Sequence, residues 1–522
     1  MTIYRADRSE NRVARRSVVF LRGAPDQAAV DVFRARNLRI TECRSKDLGE
    51  PDYLASVGAV VLRQSATKPR VVADDLREHG ARLLDYDIRV IVRPIAAKQP
   101  MFLVRKALQD IGLQFAGRNA LDEMILGGGE RAAHDDPPGP HVHVFGEDAS
   151  WDLIANTIEL TPSGACPNSS LLVTPPDQLE LADQLLVGRA FWDCTSIHLK
   201  ALPMQARGSS KASVFEAYAD ESGDGHSSYF LKFGPRDAIF SEFEKYQEQV
   251  DRFVPFHLRP RLVHSRCVLG ATRGLIVGDW VDDSESLFEC ARAGRAAPVI
   301  SSLFDKTLRP WHRASRTETD VVLGKLLRTM EDPGPARAKR AKRLGLRRTP
   351  TELIAWAKRC TSSPVLMGRV HGDLHAANVR ARKTDAVVID FGDVTIGPLI
   401  LDAAALEVSL LVGSLGSPTD VPKWKSALAS AYTTADAFRS VPAGGDPRSE
   451  WRWLLDCVRQ IRQHALLMEE QRGQYAVALA NALMFKGGKD LAAKGAEAAT
   501  RATAYVFAEK ALEFAQAEGR FS

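Results

Sequence analysis

Short apolar runs alternate with amphipathic stretches through the first part of the chain. Ser17-Val18-Val19-Phe20-Leu21 reads as a strand, residues 28–38 carry apolar positions at helical spacing, and Leu38 to Cys43 alternates like a second strand. Ala59-Val60-Val61-Leu62 has the continuous apolar character of a buried strand. A helix over 71–80 leads to a further strand at Ile88-Arg89-Val90-Ile91-Val92. Strands alternating with helices predict a doubly wound parallel sheet over residues 1–130. The Gly127-Gly128-Gly129 run and His134-Asp135-Asp136-Pro137-Pro138-Gly139-Pro140 then mark a linker, so 131–189 is expected to hold linker and connecting helices, with a helix over 177–187. His141 and His143 follow as an HxH pair; without further metal ligands a polar loop is expected there.

Two apolar stretches, 197–202 and 214–218, flank Gly208-Ser209-Ser210-Lys211, whose small residues let backbone N–H groups approach phosphates. The run His226 to Phe233 then buries a lysine, Lys232, inside an aromatic and apolar strand. Phe243, Tyr246, Val250 and Phe253 recur at helical spacing, which places Glu242 on a helix able to pair with Lys232, with Glu244 as the fallback. Residues 274–281 predict a strand and hinge that include Asp279. Late in the chain, 451–471 and 474–484 show three- and four-residue apolar spacing and read as helices.

The richest stretch is Val370 to Glu407, VHGDLHAANVRARKTDAVVIDFGDVTIGPLILDAAALE. It places Asp373 after His371-Gly372, Asn378 five residues later, and Asp390-Phe391-Gly392 at the end of the apolar run 386–389. A carboxylate at 373 can orient a hydroxyl and accept its proton as a bond to phosphorus forms. Asn378 and Asp390 supply the hard oxygens that magnesium prefers when it also binds phosphates. Either tripeptide alone is weak; order, spacing and strand context together describe phosphoryl transfer.

HGDLHxxN followed by IDFGD and Asp402 resembles the aminoglycoside/choline phosphotransferase branch of the protein-kinase-like superfamily, over residues 190–515. The resemblance implies a metal-dependent ATP:hydroxyl phosphotransferase with a small-molecule or protein acceptor. In its terms Asp373 is the base, Asn378 and Asp390 hold Mg2+, and Lys232 braced by Glu242 contacts ATP phosphates. Gly208, Ser209, Ser210, Lys211 and Asp279 line the nucleotide, and Asp402 supports the catalytic loop. Gly372 stands where protein kinases carry the arginine of HRD, and only eleven residues separate Asp390 from Asp402. More loosely, LILDAAALE resembles kinase-like proteins of bacterial conflict and signalling systems.

The expected N-lobe is 190–285 and the C-lobe 286–522. The fold class is an α/β receiver- or flavodoxin-like module followed by an α+β two-lobed kinase-like domain with a helical C-terminal region. The alternatives are a kinase-fold binding or scaffold protein with weak turnover, or nucleotidyl transfer in a signalling or defence setting. The likeness of the first module to a receiver is one of outline only. A receiver needs an acidic pair after its first strand and a phosphoacceptor aspartate after its third; here the chain reads Arg22-Gly23 and Arg63-Gln64-Ser65. An interaction or regulatory module is expected, not a phosphoacceptor.

Composition changes this picture little. Hydrophobic residues make up 45% and charged residues 26% of the 522, mean hydropathy is -0.18, and net charge is +5. No run approaches the ~20 apolar residues of a membrane span. The start, MTIYRADRSENRVARR, lacks a secretory apolar stretch, and seven scattered cysteines suggest neither disulfides nor zinc, so a cytoplasmic setting is expected. Charge is uneven at one place. Arg337 to Arg348 holds seven basic residues in twelve, which suits either an anionic partner or a solvated insertion.

Overall fold

The computed structural model describes residues 15–63, 70–93, 106–107, 110, 142–145, 149–201, 212–221, 225–328, 333–440, 446, 448–489 and 492–521. The chain forms two compact units: residues 1–244 with 261–280, and residues 245–260 with 281–522.

The first unit holds two sheets. Strands β1 (Ser17–Leu21), β2 (Arg39–Cys43), β3 (Val57–Arg63), β4 (Arg89–Arg93) and β5 (Val142–Val144) form a five-stranded sheet in the order β2-β1-β3-β4-β5. Every pairing in it is parallel. Both faces are covered, as a parallel sheet requires. Val18 and Phe20 of β1 pack with Phe33 and Trp151, while Val19 and Leu21 pack on the opposite face with Leu76 and Leu83. The Gln27–Ala35 helix starts at Asp26, whose carboxylate accepts the Ala29 N–H at 2.9 Å.

Here the expectation for His143 is corrected. It lies on β5 rather than in a polar loop, is 4% exposed, and faces Thr161 Oγ1 at 3.2 Å. Three residues behind a Gly/Pro-rich run are too short to display strand alternation, so only pairing with β4 defines the element. Residues 131–189 also contain the Trp151–Leu160 and Leu181–Ala190 helices and β6 (Leu172–Thr174). His141 and the glycine and proline runs before it lie outside the described residues.

The second sheet of this unit runs β10-β11-β9-β8-β7-β6, with β7 (Cys194–Ala201), β8 (Ser213–Glu221), β9 (Gly225–Pro235), β10 (Val268–Leu269) and β11 (Arg273–Asp279). Buried polar contacts bind it to the parallel sheet's surroundings. Arg189 donates to the carbonyls of Asp85 at 2.8 Å and Leu269 at 2.9 Å and stands 3.4 Å from Asp87. Asp87 also pairs with Arg89 at 2.6 Å, and Asp85 accepts the Ala271 N–H at 2.7 Å.

The second unit carries two small sheets, β12-β15-β16 and β13-β14-β17. Their strands are β12 (Glu285–Ser286), β13 (Arg316–Glu318), β14 (Val365–Val370), β15 (Val379–Arg382), β16 (Asp385–Val388) and β17 (Thr395–Pro398). Helices Ile400–Val412, Arg452–Ala465, Gln474–Gly488 and Gly495–Ala517 pack beside them. Among these helices Glu407 and Arg462 are fully buried and bonded twice, at 2.7 and 3.0 Å. Tyr432 and Tyr475 each donate a hydroxyl to Glu407 at 2.7 and 2.8 Å, and Arg462 reaches the carbonyls of Ala431 and Ala437. A buried pair this well satisfied is costly to break from one side. Glu407→Ala is expected to destabilise the protein by about 3–5 kcal/mol in urea unfolding. The double substitution Glu407→Leu with Arg462→Met should cost less than the single one; a larger loss in the double would disprove the account.

Candidate functional site

The catalytic-loop residues sit between β14 and β15. β14 ends at Val370 and the chain turns at Gly372, where φ is +80°. A Cβ there would lie 2.2 Å from the Asp393 carbonyl oxygen. No side chain fits, which explains glycine in place of the arginine that protein kinases carry. The turn is held from beneath by Asp402, fully buried near the start of the Ile400–Val412 helix. One oxygen accepts the His371 N–H at 2.6 Å and the other the Gly372 N–H at 3.1 Å. His371 Nε2 lies 3.0 Å from the Ile389 carbonyl. One buried carboxylate thus positions the loop, and the loop's histidine bonds to the segment that ends in Asp390.

Asn378 and Asp390 come together through the β15–β16 pairing. Ile389 N–H donates to the Asn378 carbonyl at 2.9 Å, just beyond the Val379–Val388 pair. Asn378 is buried and its side-chain nitrogen donates to the Asp373 carbonyl at 3.1 Å, directing the amide oxygen elsewhere. Asp390 takes a left-handed φ of +64° where the strand stops, so its carboxylate leaves the strand on a turn. Phe391 is buried against Tyr246, Trp311 and His371, and Lys245 caps the Gly392 carbonyl at 2.6 Å. The donor set of one amide oxygen and one carboxylate fits magnesium, which draws its other oxygens from phosphates and water.

Asp373 is mostly buried, and its Oδ1 has no hydrogen-bond partner among the described residues. Three groups stand just outside hydrogen-bond range: Arg328 at 3.6 Å and Lys486 at 3.8 Å from Oδ1, and His375 Nε2 at 3.7 Å from Oδ2. Burial pushes the Asp373 pKa up, but Lys486, His375, Arg328 and Lys489 together outweigh it and hold the carboxyl below its ordinary value. Burial pushes Lys486 down despite Asp373. Arg328, Lys486 and Lys489 were not assigned from sequence, since no local spacing ties 328 or 486 to 373. His375 lay in plain view in HGDLH.

In the first unit, Lys232 of β9 bonds both oxygens of Glu242 on the Arg236–Lys245 helix, at 2.7 and 2.9 Å. Both side chains are largely buried. Glu242, not Glu244, is therefore the lysine's partner. Asp279 ends β11, where its N–H donates to the Arg261 carbonyl at 2.8 Å. Gly208, Ser209, Ser210 and Lys211 lie outside the described residues. The basic run is helical over Gly334–Arg343. Arg337 is buried on the carbonyls of Gly487 and Lys489, and Arg348 pairs with Glu509. At the C-terminal ends of β1 and β3, Arg22 pairs with buried Asp75 at 2.7 Å and Arg63 bonds the Ala24 carbonyl at 3.1 Å.

Residues 306–441, which contain Asp373, Asn378, Asp390 and Asp402, match the family model described as the phosphotransferase enzyme family, APH. The matched stretch holds the whole run from His371 to Asp402. The kinase-like resemblance is thereby supported over the part of the chain that holds the motif. No curated protein matches the chain. Among solved structures, an aminoglycoside phosphotransferase from Streptomyces rimosus is 17% identical and covers 55% of this chain and 100% of its own, at a TM-score of 0.31. A choline/ethanolamine kinase family protein from Mesorhizobium loti is 12% identical and covers 62% and 91%, also at 0.31. An amicoumacin kinase solved with AMP-PNP and Ca2+ is 14% identical and covers 60% and 88%, at 0.32. Scores this low leave the site to the chain's own geometry.

His375 is buried enough that its pKa falls to about 4, with Asp373 opposing the shift. Folding therefore excludes a proton that the unfolded chain takes up near 6.5. The stability from this source is complete above about pH 6.5 and is lost as pH falls toward 4. NMR titration of His375 should show no protonation step between pH 5 and 8; a step near 6.5 would show that the ring is solvated instead.

Proposed function

We propose that this chain transfers the γ-phosphoryl group of ATP to a hydroxyl of a small molecule. The observation that carries the reading is Asp373, whose ionised, buried Oδ1 has no hydrogen-bond partner among the described residues and sits within an APH-type segment. In the transfer, the acceptor hydroxyl donates to Oδ1, its oxygen bonds to the γ-phosphorus, and the bond to the bridging oxygen of ADP breaks. The acceptor's proton passes to Asp373. A carboxylate held below its ordinary pKa is a weak base. It suits a loose transition state, in which the hydroxyl becomes acidic only as the phosphorus bond forms.

Asn378 and Asp390 are the residues that would hold Mg2+, which when bound neutralises charge on the phosphate oxygens. Lys232, fixed by Glu242, serves the phosphates as a cation whose position cannot wander. Asp279 and the 208–211 segment keep their role as nucleotide contacts in this reading. The parallel-sheet module, receiver-like in strand order, acts as a regulatory or interaction surface. With Arg22 and Arg63 at the positions where a receiver needs acids, it takes no phosphate. The exposed lysines and arginines of the Gly334–Arg343 helix suit an anionic partner in that same role, and a cytoplasmic setting supplies the ATP. A signalling, defence or resistance context remains part of the reading.

Asp373→Asn is expected to lower kcat by about 10²–10⁴-fold while ATP affinity stays within severalfold. Equal loss of both in steady-state kinetics would assign Asp373 to folding or metal binding. Asp390→Ala should weaken magnesium-dependent ATP binding at least about tenfold by calorimetry, since the phosphates lose their bridge to the protein. Unchanged Mg-ATP affinity would reject Asp390 as a ligand.

A further inference from the structure

The surroundings of Asp373 carry more positive charge than the carboxylate needs. Arg328 and Lys486 approach the same oxygen at 3.6 and 3.8 Å, neither close enough to bond it. Among the described residues neither has another carboxylate within ion-pair distance, and Lys489 has none at all. The cluster is built rather than incidental. The Arg328 guanidinium lies 5.0 Å and the Lys489 ammonium 4.5 Å from the centre of one ring, Phe485. Buried Asn481 clamps the Arg328 backbone, accepting its N–H and donating to its carbonyl at 3.3 Å each. Arg337 occupies the carbonyls of Gly487 and Lys489 at 2.7 and 2.6 Å. Those carbonyls would otherwise present the negative end of the Gln474–Gly488 helix beside the cations.

Three basic side chains thus act on one carboxylate, and Lys486 stays largely buried although burial disfavours its charge. Basic side chains that outnumber the carboxylate beside them leave positive charge that an anionic ligand can meet. A cationic acceptor, such as an amino sugar or a quaternary amine, would meet repulsion at the point where its hydroxyl must reach Asp373.

We infer that the acceptor is a small hydroxyl compound that also carries a phosphate or carboxylate group, which Arg328, Lys486 and Lys489 bind while its hydroxyl reaches Asp373. This rests on the phosphotransferase reading and narrows its substrate class.

The test is calorimetry on the full chain loaded with Mg-AMP-PNP at about 150 mM salt, an ionic strength that screens loose surface attraction. The probes are ribose 5-phosphate, glycerol 3-phosphate and gluconate, their neutral parents ribose, glycerol and glucose, and the cations kanamycin and choline. At least one anion should bind tenfold or more tightly than its neutral parent, and neither cation should bind as well. Lys489→Gln should weaken that anion's binding about tenfold and leave Mg-AMP-PNP affinity unchanged. Kanamycin or choline binding more tightly than every anion, or no anion surpassing its parent, overturns the inference and leaves the phosphotransferase reading intact. Loss of AMP-PNP affinity in Lys489→Gln with anion binding untouched also overturns it, assigning the cation to the nucleotide. Failure of wild-type protein to bind Mg-AMP-PNP removes the phosphotransferase reading and this inference with it.

Discussion

The catalytic loop depends on one buried carboxylate. Asp402 has no access to water, so its two oxygens must be satisfied by the protein, and the backbone amides of His371 and Gly372 satisfy them. Burial alone pushes the acid's pKa up, while those two amides and the nearby His371 ring pull it back. The consequence reaches beyond the loop. With its backbone pinned, His371 can bond the Ile389 carbonyl, and Ile389 in turn bonds Asn378. Asp373, Asn378 and Asp390 are therefore placed through backbone hydrogen bonds, which tolerate little drift. The steric closure at Gly372 against Asp393 removes the remaining freedom.

On this frame opposing electrostatic effects meet at Asp373. Desolvation and cation attraction oppose each other there, and the cations prevail. The carboxylate stays ionised, yet its Oδ1 receives no direct hydrogen bond from the described residues. That combination leaves the oxygen able to accept a hydrogen bond without first breaking another. Arg328, Lys486 and Lys489 thereby act in concert, stabilising the ionised carboxylate without saturating it.

The first unit solves a different problem. A parallel sheet and a mostly antiparallel one are joined through charged groups, and burying those groups is tolerable only when each is paired. Asp87 receives both Arg89 and Arg189, while Arg189 spans to the carbonyls of Asp85 and Leu269. The N-terminal module is thus continuous with the sheet that carries Lys232. The interval between them, expected to hold linker and connecting helices, also contributes the strands β5 and β6.

Much of the parallel sheet was legible because β1, β3 and β4 are built on apolar runs, β2 alternates, and the helices are amphipathic, all local properties of the chain. Asp373, Asn378, Asp390 and the support from Asp402 were legible because their spacing within one stretch is dictated by a short loop and hairpin. Lys232 and its acid could be guessed as a pair, since ten residues of strand and helix separate them; the choice of Glu242 over Glu244 belonged to the helix's rotation against β9. What no sequence pattern contained was the meeting of Arg328, Lys486 and Lys489 with Asp373. Lys486 and Lys489, more than a hundred positions from Asp373, reach it only when the late helices pack, and the sign of the charge around that carboxylate is a property of the packing. The same reason hid β5, whose three residues become a strand only by pairing with β4. It also hid the role of Arg337, which in sequence belongs to a solvated basic run and in the structure closes the end of a helix.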